Sequence, residues 1–178
     1  MKGLGLRILS LNDFSDIPEI EENGETFAEN ALKKARFYSI YFDQLTLADD
    51  SGLEVEALKG MPGIHSARYA GERASPQENN QKLLREMKGI PTSKRGARFK
   101  CVMALASTDG REGVTEGVCR GRIGFKEVGK RGFGYDPLFI LPNSGRTMAQ
   151  LSIEEKNRIS HRGKASRKLR KILAHFVQ

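Results

Sequence analysis

A chain of 178 residues, 38% hydrophobic and 29% charged, has the size and composition of one globular domain with its own core, which excludes a disordered or low-complexity protein. Its formal net charge of +8 favours polyanionic partners: nucleic acid, an anionic lipid surface or a phosphorylated small substrate. No apolar run approaches the ~20 residues that span a bilayer, no signal-peptide pattern is read, and Cys101 and Cys119 lack metal-ligand spacing; no membrane partner and a reducing, cytoplasmic location are expected.

The alternation in Gly3–Leu11 predicts an opening strand, followed by a turn-rich link carrying Pro18. Glu21-Glu22-Asn23-Gly24 leads into a helix over 27–40, with Thr26 as N-cap and Glu29 completing a capping box. A short strand over 45–48 is expected to stop at Asp49-Asp50-Ser51-Gly52, leaving acids at its carboxyl end. Ser75 and Pro76 start a second helix, which Gly89 and Pro91 end. Arg98–Ser107 reads as a buried strand, joined through Asp109-Gly110 to a second strand over 113–124 as a hairpin. A glycine-rich loop lands on Phe133-Gly134-Tyr135-Asp136-Pro137, before a short strand over 138–141. A helix over 154–160 capped by Ser152 and a basic terminal helix over 163–176 complete the chain. The pattern indicates an α/β (α+β) fold: a mixed β-sheet flanked by helices, in one domain over 1–178.

Four clusters carry chemistry. Two neighbouring carboxylates, Asp49 and Asp50, suit magnesium (Mg2+), which takes oxygen ligands and retains waters. Adjacent side chains on an extended backbone point to opposite faces, so one of the two is expected to reach the metal. Glu21 and Glu22 offer a second metal ligand in a turn. In Phe133–Asp136 an aromatic ring can stack on a base, Gly134 permits close backbone approach, and Asp136 can accept from ring N–H groups. Lys156 shares a helix face with Ser160, and His161-Arg162 follows, giving donors for phosphate or for the carbonyl oxygens of a base. Each has a bland alternative as cap, surface turn or solvated face, and Lys164–Lys171 reads only as such a face. No Walker loop, HExxH or GxSxG is present, which argues against those hydrolase classes.

In order, the blocks Gly24-Glu25-Thr26-Phe27-x-Glu29-Asn30-Ala31, Ala48–Leu53, Pro62-Gly63-x-x-Ser66-Ala67-Arg68-Tyr69, Gly132–Pro137 and Glu155-Lys156-Asn157-x-x-Ser160-His161-Arg162 resemble the inosine triphosphate pyrophosphatase family. The resemblance implies magnesium-dependent hydrolysis of non-standard purine nucleoside triphosphates (ITP, dITP, XTP) between the α and β phosphates, in a cleft between two lobes. It implies Asp50 as general base and metal partner, with Ser51 touching substrate and Glu21 or Glu22 as the other metal ligand. By the same resemblance, Phe133, Gly134, Tyr135 and Asp136 hold the nucleoside; Lys156, His161 and Arg162 read the 6-oxo purine; and Lys34 reaches a phosphate. A homodimer is implied too. The family opens with a strand, a Ser/Thr-x-Asn-x-x-Lys phosphate loop and a helix; Met1 falls where that helix should already be ending, so either a start assigned too late or a domain truncated at its N-terminus is expected. Lys59 also stands where the family has glycine.

Two other readings compete. Without the phosphate loop, the same pocket would bind purine nucleotides with impaired catalysis. A basic nucleic-acid binder rests on charge alone, without an aromatic-interleaved basic stripe, and no nucleic-acid partner is expected.

Overall fold

The computed structural model describes residues 6–176. Four α-helices, α1 (Phe27–Phe42), α2 (Pro76–Glu86), α3 (Ile153–Ile159) and α4 (His161–Leu173), surround one sheet of β1 (Thr46–Val55), β2 (Gly96–Ala106), β3 (Glu112–Ile123) and β4 (Phe139–Ile140). Among the described residues, no helix is long and apolar enough to cross a membrane.

The helices begin where their caps dictate. Ser75 and Ser152 each accept from the N–H three residues on, and Glu78 and Glu155 reach back, closing the reciprocal boxes of α2 and α3. At α1, Thr26 Oγ1 accepts from Glu29 N–H at 3.1 Å, but the Glu29 carboxylate takes the N–H of Glu25 instead of Thr26. The expected box is therefore displaced by one residue. The helix also runs two residues beyond the expected end, because Tyr38, Tyr41 and Phe42 form an aromatic cluster with Phe14, whose ring centroid lies 4.4 Å from that of Phe42. Ser160 closes α3 and caps α4, its Oγ accepting from Gly163 N–H at 3.1 Å.

Strand order is β1-β2-β3-β4, and every pair is antiparallel. The α/β class stands, but the expected mixture of parallel and antiparallel pairs is absent among the described residues: β2 and β3 are a hairpin, and β1 and β4 add to its flanks in alternating direction. The strand expected over 45–48 is instead ten residues long. It passes straight through both acids, because β2 offers an unbroken partner from Ala106 opposite Thr46 to Ala97 opposite Val55. The opening strand is absent over residues 6–11; residues 3–5 lie outside the described residues. Ser10 and Asp13 capture local backbone donors there and wind Leu11–Asp13 into a 3-10 turn, an alternative to a ladder.

The pleat divides the core. On one sheet face, Phe27, Ala31 and Ala35 of α1 pack on Val102, Ala104 and Ala106. On the other, Leu169 and Leu173 of α4 cover Leu105, while Leu53, Val55 and Phe99 meet Leu83 and Met87 of α2 and Leu138, Phe139, Met148 and Leu151 of the late chain. Each fully buried Leu or Met contributes about 1.5–3 kcal/mol. Two local devices lock this face. Gly117 lets α4 approach β3 so closely that a Cβ there would lie 2.5 Å from Ala165 N and nearer still to the His161 carbonyl. Arg95, 2% exposed, donates to the carbonyls of Met87, Ile90, Ile123 and Gly124, tying the end of α2 to the end of β3.

Candidate active site

Because β1 is extended across 49–51, its consecutive side chains serve opposite sheet faces. Asp50 lies opposite Val102, on the α1 side. Its Oδ2 accepts from Asn30 Nδ2 at 3.1 Å, and its Oδ1 from the N–H of Ser51 at 2.8 Å. Asn30, 1% exposed, also accepts from Gly24 N–H at 2.8 Å, so one buried amide fixes Asp50 to the acidic turn. One helical turn on, Lys34 Nζ donates to Glu22 Oε1 at 2.8 Å, and Arg68 Nη2 reaches the Glu22 carbonyl at 3.4 Å. Burial holds the Asp50 carboxyl above the usual aspartate range; the Glu22 charge adds to this, while Asn30, Lys34 and the Ser51 N–H oppose it. Glu21 is exposed and, among the described residues, accepts from Asn23 at 3.4 Å. Of the two acids of the turn, Glu22 is the one held by Lys34 and the one whose charge acts on Asp50.

Among the described residues, no three His, Cys, Asp or Glu side chains gather as a metal cage. Magnesium does not require one: it is held by one or two carboxylates, with waters and substrate phosphates completing the shell. A carboxylate pair close enough for Glu22 to raise the Asp50 pKa is a donor set that fits a hard dication.

The opposite face carries a different constellation. The loop before β4 is folded tightly by Gly132 (φ +79°), where a side chain would run into the Asp136 carboxylate. Asp136 is 3% exposed; its Oδ2 accepts from Phe133 N–H at 3.0 Å and forms an ion pair with Lys156. Asp136 is therefore committed to shaping the loop and holding the lysine. Above it stands Phe133, 63% exposed, with Lys156 Nζ 4.7 Å and the Arg162 guanidinium carbon 5.3 Å from its ring centroid. The Gly134 carbonyl accepts from Asn80 Nδ2 at 3.2 Å, and the Tyr135 hydroxyl donates to the Ser66 carbonyl at 2.9 Å.

His161 opens α4, buried and stacked on Phe99 with ring centroids 4.8 Å apart. Among the described residues its buried Nδ1 has no hydrogen-bond partner. Burial first, then the charges of Arg162 and Lys156, pulls its pKa down to about 3, so the imidazole is neutral at physiological pH. Phe133, His161 and Arg162 border two adjoining cavities, of about 670 and 360 Å³. Lys156 and Ser160 line the larger; Ser51, Tyr135 and Asp136 line the smaller.

The expected site residues are thus brought into two sets on either side of β1, the edge strand of the described sheet: Glu22, Lys34 and Asp50 on one, and Ser51, Phe133–Asp136, Lys156, His161 and Arg162 on the other. Sequence reasoning missed Asn30, whose signal was a polar residue beside Phe27 and Ala31 on the buried face of α1. It also missed the contact between Asp49 Oδ2 and Arg162 Nε at 3.2 Å, which joins residues 113 apart and has no sequence signal.

Residues 1–172 match the model of the Ham1 family. A protein of Desulforamulus reducens named dITP/XTP pyrophosphatase is 50% identical over 173 residues, 97% of this chain and 86% of that relative. One of the same name from Shouchella clausii is 52% identical over 158 residues, 89% of this chain and 80% of the relative. The solved structure of the Staphylococcus aureus Ham1 protein superposes with a TM-score of 0.83 at 44% identity, covering 87% of this chain and 80% of that one.

Proposed function

This chain belongs to the Ham1 family, and from that premise and the site geometry we propose that it hydrolyses non-standard purine nucleoside triphosphates (dITP, ITP, XTP) to the monophosphate and pyrophosphate. The observation that carries the reading is the exposed Phe133, with Lys156 Nζ 4.7 Å and the Arg162 guanidinium carbon 5.3 Å from its ring centroid, bordering the same cavities as the buried His161, whose Nδ1 has no hydrogen-bond partner among the described residues. Phe133 is the stacking surface for the base, and Lys156 and Arg162 donate to its 6-oxo oxygen. Adenine would present an amino donor to these donors, and each buried group left unpaired costs about 1–3 kcal/mol, or roughly ten- to a hundredfold in affinity.

The triphosphate runs round the β1 edge to the Asp50 face, where Lys34 and Arg68 neutralise its charge. Asp50 and Glu22 would hold magnesium, which supplies electrostatic stabilisation of the phosphoryl oxygens when bound. Asp50 takes the proton of the attacking water as its oxygen bonds to the α phosphorus; the bond from that phosphorus to the bridging oxygen breaks, and pyrophosphate leaves. Asn30 aims the Asp50 carboxylate by donating to its Oδ2. A homodimer is part of the same proposal, and a cytoplasmic location suits a substrate drawn from the nucleotide pool.

Pyrophosphate release from dITP with magnesium, compared between wild type and Asp50→Asn, tests the reading. We expect the variant to bind nucleotide and lose about 10²–10⁴-fold in rate. Nucleotide binding with equal, background release from both proteins would identify a binding module instead.

A further inference from the structure

The acid beside the proposed catalytic base has no place in the chemistry above. Asp49 points to the opposite face of β1, where its Oδ2 accepts from Arg162 Nε at 3.2 Å and lies 3.8 Å from the Cys101 thiol. Cys101 is buried, and burial, with Asp49 adding to it, pushes its thiol up to about 12, so it remains a protonated donor toward that oxygen. Asp49 thus lies between a buried core group on one side and a half-exposed arginine on the other.

The arginine has reason to be held. Its side chain is 41% exposed, and among the described residues only its Nε is hydrogen-bonded within the protein. The rest of the guanidinium lies beside Phe133 and borders both cavities. An arginine left to itself samples many rotamers, and ordering it on substrate binding costs up to about 2 kcal/mol. A contact through Nε fixes the plane of the guanidinium while leaving its two terminal nitrogens as a fork for a ligand. A half-exposed ion pair of this kind adds little to folding stability, so its consequence is orientation.

Resting on the reading of Arg162 as a base-reading group, we propose that Asp49 is a specificity-determining positioning residue: it pre-orients Arg162 toward the 6-oxo purine. The Asp49-Asp50 pair then divides its labour across the strand, one acid ordering base recognition and the other performing chemistry.

The test is steady-state kinetics on dITP and dATP for the wild type, Asp49→Ala, Asp49→Asn, Arg162→Ala and the Asp49→Ala/Arg162→Ala double variant, with circular dichroism to verify folding. Asp49→Ala should raise KM for dITP about tenfold, change kcat far less, and lower the preference for dITP over dATP by the same factor. Asp49→Asn, which keeps the shape and one acceptor, should fall between it and the wild type and serves if the alanine variant does not fold. In the double variant, Asp49→Ala should add nothing to the loss from Arg162→Ala. Equal losses on dITP and dATP, or additive losses in the double variant, overturn the proposal. A wild-type protein with no preference for dITP overturns the proposed function itself, a result distinct from either.

Discussion

Replacing Gly117 by alanine adds one methyl group at the point where α4 meets the sheet. The new Cβ would stand 2.5 Å from Ala165 N, closer to the His161 carbonyl, and 3.0 Å from Lys164 Cβ. Carbon–acceptor contacts settle near 3.3–3.6 Å, so α4 must retreat by about 1 Å. The obstacle is helix backbone, which cannot rotate aside as a side-chain tip would. Overpacking of this kind costs about 1–3 kcal/mol, partly offset by the roughly 0.5–1 kcal/mol that alanine regains over glycine in a strand. For a chain of this size, that net loss lowers Tm by a few degrees at about 2–4 °C per kcal/mol. The functional effect should be larger than the thermal one, because the displaced end of α4 carries His161 and Arg162, and a 1 Å misplacement of such groups can cost about 10²-fold. Thermal melts followed by circular dichroism, paired with kinetics on dITP and dATP, measure both. A fall in Tm with selective loss of dITP turnover is expected. A Gly117→Ala protein with unchanged Tm and unchanged dITP preference would refute the view that β3 sets the depth of α4.

Two further outcomes follow from buried groups. His161 is neutral in the fold with a pKa near 3, whereas an unfolded histidine titrates near 6.5; protons therefore favour the unfolded chain, and stability falls as pH drops through that window. At about 1.4 kcal/mol per pH unit, the contribution amounts to about 2 kcal/mol between pH 6.5 and 5, and urea titrations of His161→Phe should show that much less acid sensitivity than wild type; an identical pH dependence would contradict the assignment. Arg95→Met should strip the guanidinium donors from the carbonyls of Met87, Ile90, Ile123 and Gly124, of which Met87 keeps the N–H of Ile90, and cost about 2–4 kcal/mol, read as a lower urea midpoint at unchanged m-value; a neutral effect would mean that water replaces the guanidinium.

What the sequence disclosed was local. Ser75, Ser152 and Asp109-Gly110 announce two helices and a hairpin, because caps and tight turns are settled by residues three or four apart. Strand length was not legible. Asp49-Asp50-Ser51 looks like a terminus until β2 is known to pair with it throughout, and the alternation over 6–11 looks like a strand until local polar groups take its donors. The candidate site was legible as residue types in order, but not as a geometry. Nothing in Glu21-Glu22 says which carboxylate Lys34 will hold, nothing in Asp136 says that Lys156 will occupy it, and nothing in Gly117 says that a helix backbone will rest there. Those facts belong to packing between segments 12 to 48 residues apart or more.

The run of β1 through both acids has a further consequence, one of parity. Odd positions of this strand look toward α4 and even positions toward α1, so the roles of Asp49 and Asp50 depend on a count modulo two. A slip of one residue against β2 would leave a strand of similar length and hydrogen bonding but would exchange the two carboxylates, turning Asp49 toward Asn30 and Lys34 and the proposed general base Asp50 toward Arg162. The register of an edge strand, ordinarily a matter of hiding apolar side chains, is here also the device that tells two chemically identical groups apart.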